Sequence, residues 1–472
     1  MSGQLTPTGG RFGAPAPGVV TEPSPPLRSG FGSDADARER SDAARNRHKS
    51  LKSSKWFTGR PERSRHSAAW LAGATAVVVG LVSSACTAGS SSAGSTPTSA
   101  PSSATPEPEP AFAAQLRPAL TAKMQELRVP GAIVLVDVPG QGQWLEAFGV
   151  GDLAAETPVR TDDRWRIGSI TKTMTASIVL QLVDEGRVGL DDPVATIVPE
   201  VPNGSAITVR QLLNMTSGLF SYTADEEFNR EADAHPDKVW TSAELLAASF
   251  RHPPSFPPGQ QFAYSNTNYE LLGVIAEKLT GQELPRLFQE RLFDRLGMKR
   301  SRFPAPTDAS LPRPYAHGYD FVTLTELDRL EEETAAGNTE AKVTASPGAM
   351  PADVTTFNPS FASAAGAVIS TAEDMKIWAR ELAAGTLLEP DTQRQRLDFE
   401  AGPYGLGVGQ AFPGAVGHSG AVPGYQSVAI HVPDKGASII VLTNLQVAPN
   451  VPFTEALPAT ALAKLIKERL FP

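Results

Sequence analysis

The sequence contains one cysteine, Cys86, and its few histidines do not show metal-ligand spacing. A lone cysteine excludes an internal disulfide framework and a cysteine-rich zinc site. The chain after Cys86 also lacks a basic stripe, because it carries 30 Lys and Arg against 45 Asp and Glu. Binding to a nucleic-acid backbone depends on clustered cations, so this acidic composition argues against nucleic acid as a partner. We expect no metal ion and no organic cofactor.

The first 66 residues lack an apolar period and are rich in proline, glycine, serine and charge. This composition is typical of a disordered segment. We therefore predict a disordered tail over residues 1–66, unless the true start of the chain lies further along. If the tail is translated, a membrane-anchored regulator with a cytoplasmic tail is a further hypothesis.

An uncharged apolar run at 68–82 follows a basic segment and leads through small residues to Cys86. Together these features predict an export signal over residues 67–86. The segment resembles a lipoprotein signal, in which Cys86 is lipidated and holds the protein at the outer face of the cell membrane. Ser83 departs from the aliphatic residue that such signals prefer. An uncleaved anchor helix is the alternative, although the run is shorter than the roughly 20 residues of a membrane span.

Residues 87–110 are almost entirely Ser, Thr, Ala, Gly, Pro and Glu, which predicts an extended linker. The remainder, residues 111–472, is predicted to be one folded domain. Apolar spacing predicts helices near its start and end, and a mostly helical stretch between about 160 and 300. Alternating and β-branched patterns predict strands. These strands are 131–138, 143–150, 427–432 and 437–442.

This order of elements predicts an α/β fold of the α+β type. One antiparallel sheet carries both termini of the domain and is flanked by helices. A mostly helical region lies beside the sheet, and an active-site cleft lies between the two.

Ser169 and Lys172 stand at the start of a helical pattern that ends at Gly186. At a helix start, backbone N–H groups and the helix dipole favour developing negative charge. Lys172 is three residues further on and shares the helix face of Ser169. A serine hydroxyl needs a base to become a nucleophile, and a desolvated lysine with a lowered pKa can supply one. The alternative is a helix-capping serine with an exposed lysine.

Two further motifs follow: Tyr264-Ser265-Asn266, which opens another amphipathic helix, and His418-Ser419-Gly420, just before a C-terminal strand. S-x-x-K, then Y-S-N, then [K/H]-[S/T]-G resembles the serine β-lactamase and D-alanyl-D-alanine carboxypeptidase superfamily. Within it, the chain is most similar to the branch of class C β-lactamases, carboxypeptidases and esterases. The resemblance covers about residues 115–470 and includes supporting stretches at 207–218 and 404–409. It implies a serine hydrolase, and together with the signal predicted at 67–86 an exported one.

The resemblance also implies the catalytic residues. Ser169 forms an acyl-enzyme, while Lys172 and Tyr264 share the work of the base, the tyrosine being kept near the phenolate by neighbouring cations. Backbone N–H groups of Ser169 and Ala421 form the oxyanion hole. Tyr264 as a packed aromatic residue is the structural alternative.

The substrate-binding residues implied are Asn266, His418, Ser419, Gly420 and Ala421. Asn266 is expected to bind the acyl side of the substrate, and His418 and Ser419 to line the cleft beside the leaving group. A helix cap at Asn266 and a purely structural role for His418 are the alternatives.

The substrate stays open among a peptidoglycan stem peptide, a D-amino-acid amide and an ester. The triplet begins with His418 where class C β-lactamases have lysine, so efficient β-lactamase activity is not expected. Ala421 offers no hydroxyl to a carboxylate, which favours esters or amides. The variable segments 221–254 and 303–350 are expected to shape the pocket. A non-catalytic lipoprotein that binds envelope fragments is the alternative from another class.

Overall fold

The computed structural model describes residues 108–400 and 402–472. The predictions for the tail at 1–66, for the signal at 67–86 with Cys86, and for the linker up to residue 107 lie outside these residues. In the part of the chain that is described, no helix has the length and apolar character needed to cross a membrane.

The strands are numbered in chain order. They are β1 (Gly131–Val138), β2 (Gly142–Asp152), β3 (Thr157–Pro158), β4 (Trp165–Arg166), β5 (Tyr319–Asp320), β6 (Ala352–Asp353), β7 (Ile369–Ser370), β8 (Gly409–Phe412), β9 (Ala415–Val422), β10 (Tyr425–Val432) and β11 (Ala437–Thr443). Seven of them form one antiparallel sheet in the order β3-β2-β1-β11-β10-β9-β8. Two short pairs, β4-β7 and β5-β6, lie outside it.

The helices are also numbered in chain order. They are α1 (Ala111–Glu126), α2 (Ile170–Asp184), α3 (Val209–Leu213), α4 (Glu226–Ala234), α5 (Ser242–Phe250), α6 (Asn266–Thr280), α7 (Leu284–Phe288), α8 (Asp294–Leu296), α9 (Leu324–Ala335), α10 (Ser363–Gly366), α11 (Ala372–Ala384), α12 (Pro390–Arg396) and α13 (Pro458–Leu470). A π-helical turn at Gln289–Phe293 joins α7 to α8.

Both faces of the sheet are covered by helices. On one face, α1 and α13 bury an apolar cluster that includes Leu120, Ile439 and Leu462. On the other face, α2 and α11 enclose a larger core that includes Trp378 and Ile440. Successive residues of a strand point to opposite faces, so neighbouring isoleucines of β11 serve different cores. A sheet buried on both faces reads as continuous apolar runs, as β1 and β11 do.

The predicted architecture is confirmed. Strand β1 pairs with β11, so the first and last strands of the sheet in sequence are neighbours at its centre. The predicted strand 427–432 begins two residues earlier, at Tyr425. The triplet at 418–420 precedes a strand, β10, as expected, but it also lies inside β9, a strand that the sequence analysis did not predict. Gly417 and Gly420 interrupt the apolar alternation from which a strand is recognised.

Candidate active site

Ser169 lies in the turn between β4 and α2. Pairing of β4 with β7 holds this turn, and the Ile167 N–H donates to the Val368 carbonyl oxygen at 3.0 Å. Gly168 has a positive φ of 52°, which side chains other than glycine rarely adopt. A Cβ atom at Gly168 would lie 2.6 Å from the Ala421 nitrogen. Glycine therefore allows the chain to turn sharply against β9 and to present Ser169 at the start of α2.

Lys172 lies one turn into α2 and is fully buried. Its Nζ atom lies 2.9 Å from Ser169 Oγ and donates to the Ala365 carbonyl oxygen at 2.8 Å. Desolvation holds the pKa of Lys172 well below its usual value, and no carboxylate opposes this shift. An amine so placed, whose charged form is disfavoured by burial, can accept the hydroxyl proton of Ser169. Lys172 is therefore not exposed, which excludes the alternative of a capping serine with an exposed lysine.

Tyr264 precedes α6, and Lys172 Nζ lies 5.0 Å from the centroid of its ring. Desolvation raises the pKa of the Tyr264 hydroxyl above its usual value, Tyr404 raises it further, and a hydrogen bond with Ser169 opposes the rise. The side chain is 41% exposed, so solvent weakens the desolvation. The expectation that neighbouring cations keep Tyr264 near the phenolate is wrong, because the pKa of its hydroxyl moves upward and burial disfavours the charged form of Lys172 beside its ring.

Asn266 is the first residue of α6, and segment 221–254 holds it in place. Its Nδ2 donates to Thr223 Oγ1 at 2.8 Å, and its backbone N–H donates to Ser221 Oγ at 3.1 Å. The N-cap of α6 is Ser265, so Asn266 does not cap this helix. Its binding of the acyl side of a substrate stays a prediction.

The backbone of β9 lies against the Ser169 turn. A Cβ atom at Gly420 would meet the Ile167 carbonyl oxygen at 2.0 Å and the Ser169 nitrogen at 2.8 Å. Within the described residues, the Ser169 N–H donates to no carbonyl oxygen. The predicted pair of N–H donors, Ser169 and Ala421, thus comes from two backbone segments in direct contact.

His418 is buried, with 7% of its surface exposed. Its Nδ1 donates to the Ser419 carbonyl oxygen, so its Nε2 accepts a hydrogen bond of 2.9 Å from the Tyr404 hydroxyl. Burial lowers the pKa of His418 from 6.5 to about 4, so the ring is neutral at pH 7. Its ring centroid lies 6.2 Å from that of Tyr264.

Tyr404 is a residue of this cluster to which the sequence analysis gave no role. Its hydroxyl orients His418, and its ring centroid lies 6.4 Å from that of Tyr264. The signal in the sequence was the supporting stretch at 404–409. Contact between Tyr404 and His418 depends on the chain bending back between β8 and β9, which spacing alone does not predict.

The side chain of Ser419 lies on the other face of the sheet from that of His418. In β9, His418 pairs with Ala429 of the larger core, whereas Ser419 pairs with Val428 of the cluster under α1 and α13. Directly paired residues share a face of the sheet, so the Ser419 side chain lies on the face opposite His418. The structure brings together the other predicted residues except Asn266, whose side chain contacts Thr223 instead, and a role for the Ser419 hydroxyl stays a prediction.

No group of three or more His, Cys, Asp or Glu side chains within residues 108–400 and 402–472 could hold a metal ion. The groups around Ser169 are the Lys172 amine, the Tyr264 phenol, the His418 imidazole and backbone N–H groups. Such a set can activate a hydroxyl, stabilise an oxyanion and protonate a leaving group.

A family model described as Beta-lactamase matches residues 116–463. The chain belongs to the beta-lactamase family. Among its relatives, the esterase EstB of Burkholderia gladioli is 31% identical over 219 residues, which are 44% of this chain and 56% of that protein. The D-aminopeptidase of Brucella anthropi is 27% identical over 332 residues, 68% of this chain and 57% of that protein. The chain thus spans little more than half the length of these curated relatives.

Two solved structures match the chain over nearly their whole length. A D-stereospecific amidohydrolase from Streptomyces sp. is 33% identical with a TM-score of 0.60, over 73% of this chain and 96% of that one. The D-amino acid amidase of Ochrobactrum anthropi SV3 is 25% identical with a TM-score of 0.61, over 75% and 99%. The predicted membership of the β-lactamase and carboxypeptidase superfamily, with its esterases, is confirmed.

Proposed function

We propose that the chain is a serine hydrolase that cleaves a small amide or ester through an acyl-Ser169 intermediate. The observation that carries this proposal is the buried Lys172 amine, 2.9 Å from Ser169 Oγ. Burying an amine without a carboxylate partner costs stability, and a general base is the role that accounts for it.

In the proposed reaction, Ser169 Oγ bonds to the substrate carbonyl carbon while its proton passes to Lys172 Nζ. The N–H groups of Ser169 and Ala421 stabilise the oxyanion that forms. The bond to the leaving nitrogen or oxygen then breaks, and the protonated Tyr264 hydroxyl donates a proton to the leaving group. Lys172 returns its own proton to the phenolate so formed. Water attacks the acyl ester, passes a proton to Lys172, and the acid departs as Ser169 regains its hydrogen.

His418, on the proposed leaving-group side of the cleft, favours amides and esters over substrates with a terminal carboxylate. His418 is neutral there and is held by Tyr404, so it offers a carboxylate no charge. The relatives named esterase, D-aminopeptidase and D-amino acid amidase support the same choice. We therefore place a D-amino-acid amide or ester first and a D-alanyl-D-alanine stem peptide second.

The test compares p-nitrophenyl butyrate, D-alaninamide and D-alanyl-D-alanine as substrates of the wild type and of Ser169→Ala. We expect hydrolysis of the first two by the wild type, and of neither by the variant. Full activity in Ser169→Ala would exclude this nucleophile. Preferred cleavage of D-alanyl-D-alanine, with a stable penicillin adduct by intact mass, would support the carboxypeptidase instead. A wild type inactive on all three would favour a binding-only lipoprotein.

The anchoring of the chain is a separate proposal. The basic segment, the apolar run and Cys86 support an exported lipoprotein at the outer face of the cell membrane. Metabolic labelling with a fatty acid should mark the wild type, and Cys86→Ala should lose the label and leave the membrane fraction. Label retained in Cys86→Ala would contradict the proposal.

A further inference from the structure

Glu270 is a buried carboxylic acid in the second turn of α6, and the proposed reaction gives it no role. The residue is fully buried. Its Oε2 accepts a hydrogen bond from the Ala364 N–H at 3.3 Å, and its Oε1 has no hydrogen-bond partner among the described residues. An apolar side chain could be buried here at a lower cost in stability, because a carboxyl group loses its hydration on burial. This cost points to a role other than stability.

The donor to Glu270 belongs to α10, a four-residue turn that contacts both α6 and α2. Gly273 lies three residues after Glu270 and shares its helix face. A Cβ atom at Gly273 would lie 2.5 Å from Ala364 Cβ, so α6 and α10 are in direct contact. The Ala364 carbonyl oxygen accepts a hydrogen bond from Thr175 Oγ1 of α2 at 2.6 Å. Both helices therefore hold α10.

The same turn also holds the proposed base. The Ala365 carbonyl oxygen accepts the hydrogen bond of 2.8 Å from Lys172 Nζ, which lies 2.9 Å from Ser169 Oγ. Glu270 is thus linked to the Lys172 amine through two successive residues of α10. A displacement of this turn would move the Ala365 carbonyl oxygen and change the position of the amine relative to Ser169.

The backbone of α10 needs support from outside the turn. Its first residue, Ser363, has a φ of 31°, which residues other than glycine seldom adopt. Such conformations persist where the surrounding structure holds them, and they are frequent beside active sites. The Ala364 N–H has no backbone acceptor among the described residues, so the carboxyl group of Glu270 is the acceptor that holds it.

The contact does not depend on the charge of Glu270. Burial, and to a lesser degree the charge of Glu277, raise the pKa of Glu270 to about 7, while the nearby hydroxyls of Ser242 and Ser363 oppose the rise. A protonated carboxyl group and an ionised one both offer an oxygen to the Ala364 N–H, and so does the amide of a glutamine. The length of the side chain is what the contact requires.

We infer that Glu270 is a positioning residue that fixes α10 through the Ala364 N–H and thereby holds the Lys172 amine against Ser169 Oγ. It acts through the turn and not on the substrate. This inference rests on the proposed hydrolase function and adds to it a buried support for the base.

The test compares three variants of Glu270 in kcat/KM for p-nitrophenyl butyrate. Glu270→Gln keeps the length of the side chain and an oxygen acceptor, and should stay within a few-fold of the wild type. Glu270→Asp keeps the charge but is one methylene shorter, and Glu270→Leu removes the acceptor. Both should lose about tenfold or more, as small displacements of a catalytic group do. A role for the charge would reverse the order of Glu270→Gln and Glu270→Asp.

The pH profile of kcat/KM gives a readout specific to Lys172. The Ala365 carbonyl oxygen favours the charged amine, so loss of this contact should lower the pKa of Lys172 further. The fall in kcat/KM at acid pH, where Lys172 becomes protonated, should therefore begin at a lower pH in Glu270→Leu than in the wild type. In Glu270→Gln it should stay where it is in the wild type.

Glu277 provides the matched control. It lies two turns further along α6, and its Oε1 accepts a hydrogen bond from the Leu284 N–H at 2.9 Å. Glu277→Gln and Glu277→Leu should both keep the wild-type rate and pH profile, because this contact leads to α7 and not to Lys172.

Three outcomes would overturn the inference and leave the hydrolase standing. One is a loss of activity in Glu270→Gln as large as that in Glu270→Leu. Another is a wild-type rate and pH profile in folded Glu270→Asp or Glu270→Leu. The third is failure of both of these variants to fold, which would assign Glu270 to stability. Failure of the wild type to hydrolyse the ester through Ser169 would instead count against the proposed function.

Discussion

At the residue scale, burial of the Lys172 amine without a carboxylate suits the proposed role of a general base but lowers the stability of the fold. Lys172→Met keeps the length of the side chain and removes the base. We expect kcat/KM for p-nitrophenyl butyrate to fall by about 10²–10⁴. The midpoint of thermal unfolding should stay the same or rise, because a buried amine without a carboxylate is replaced by an apolar group.

The matched control is Lys278→Met, because Lys278 is 45% exposed on α6 and far from the chemistry in sequence. It should keep the wild-type rate. A Lys172→Met protein within a few-fold of the wild-type rate would show that another group takes the proton of Ser169.

The buried imidazole of His418 predicts a dependence of stability on pH. Its folded pKa is about 4 and its usual value is 6.5, so between these pH values the unfolded chain binds a proton that the folded chain does not. The free energy of unfolding therefore falls as pH drops from 6.5 to 4, by about 3 kcal/mol from this group. Urea unfolding of wild type and His418→Gln at pH 7, 5.5 and 4.5 measures it. The difference between them should shrink by about 2 kcal/mol between pH 7 and 4.5, and parallel curves would contradict the assignment.

At the scale of elements, the turn before α2 and the strand β9 act as one unit. In Gly168→Ala the new Cβ atom would lie 2.6 Å from the Ala421 nitrogen, so the two segments must separate. Displacing one oxyanion-hole donor should lower kcat by about 10²-fold or more. Gly186→Ala controls for backbone strain, because Gly186 follows the other end of α2 with φ of 67° and no atom near its Cβ position. Equal kcat values in the two variants would show that strain alone is responsible.

The elements also show how far a sequence can predict this site. Helix α2 could be predicted because its apolar residues recur at helical spacing, which brought Ser169 and Lys172 onto one face. The upward shift in the pKa of Tyr264 could not, because it depends on which groups surround the hydroxyl after folding. The same holds for Arg166, whose guanidinium donates to the carbonyl oxygens of Ala309 and Thr355, in two segments far along the chain.

At the scale of the whole molecule, the central sheet joins the two ends of the described chain and separates two cores. Ile439 packs under α1 and α13, and Ile440 packs toward α2, which begins at the Ser169 turn. Both side chains are fully buried although they are neighbours in β11. The sequence predicted this sheet from strands near both ends of the domain with helices outside them. A sheet between two helical layers has apolar residues at successive positions, as β1 and β11 do.

Two truncations in β11 test this arrangement. Ile439→Ala and Ile440→Ala should each lower the free energy of unfolding by about 2–5 kcal/mol, since each leaves a cavity in a closed core. Urea unfolding at pH 7 measures both. If one face of the sheet met solvent, the variant on that face would stay within about 0.5 kcal/mol of the wild type. The two losses of unfolding free energy should be comparable, because both side chains are fully buried. Helices α1 and α13 cover one face of β11, and α2 and α11 cover the other.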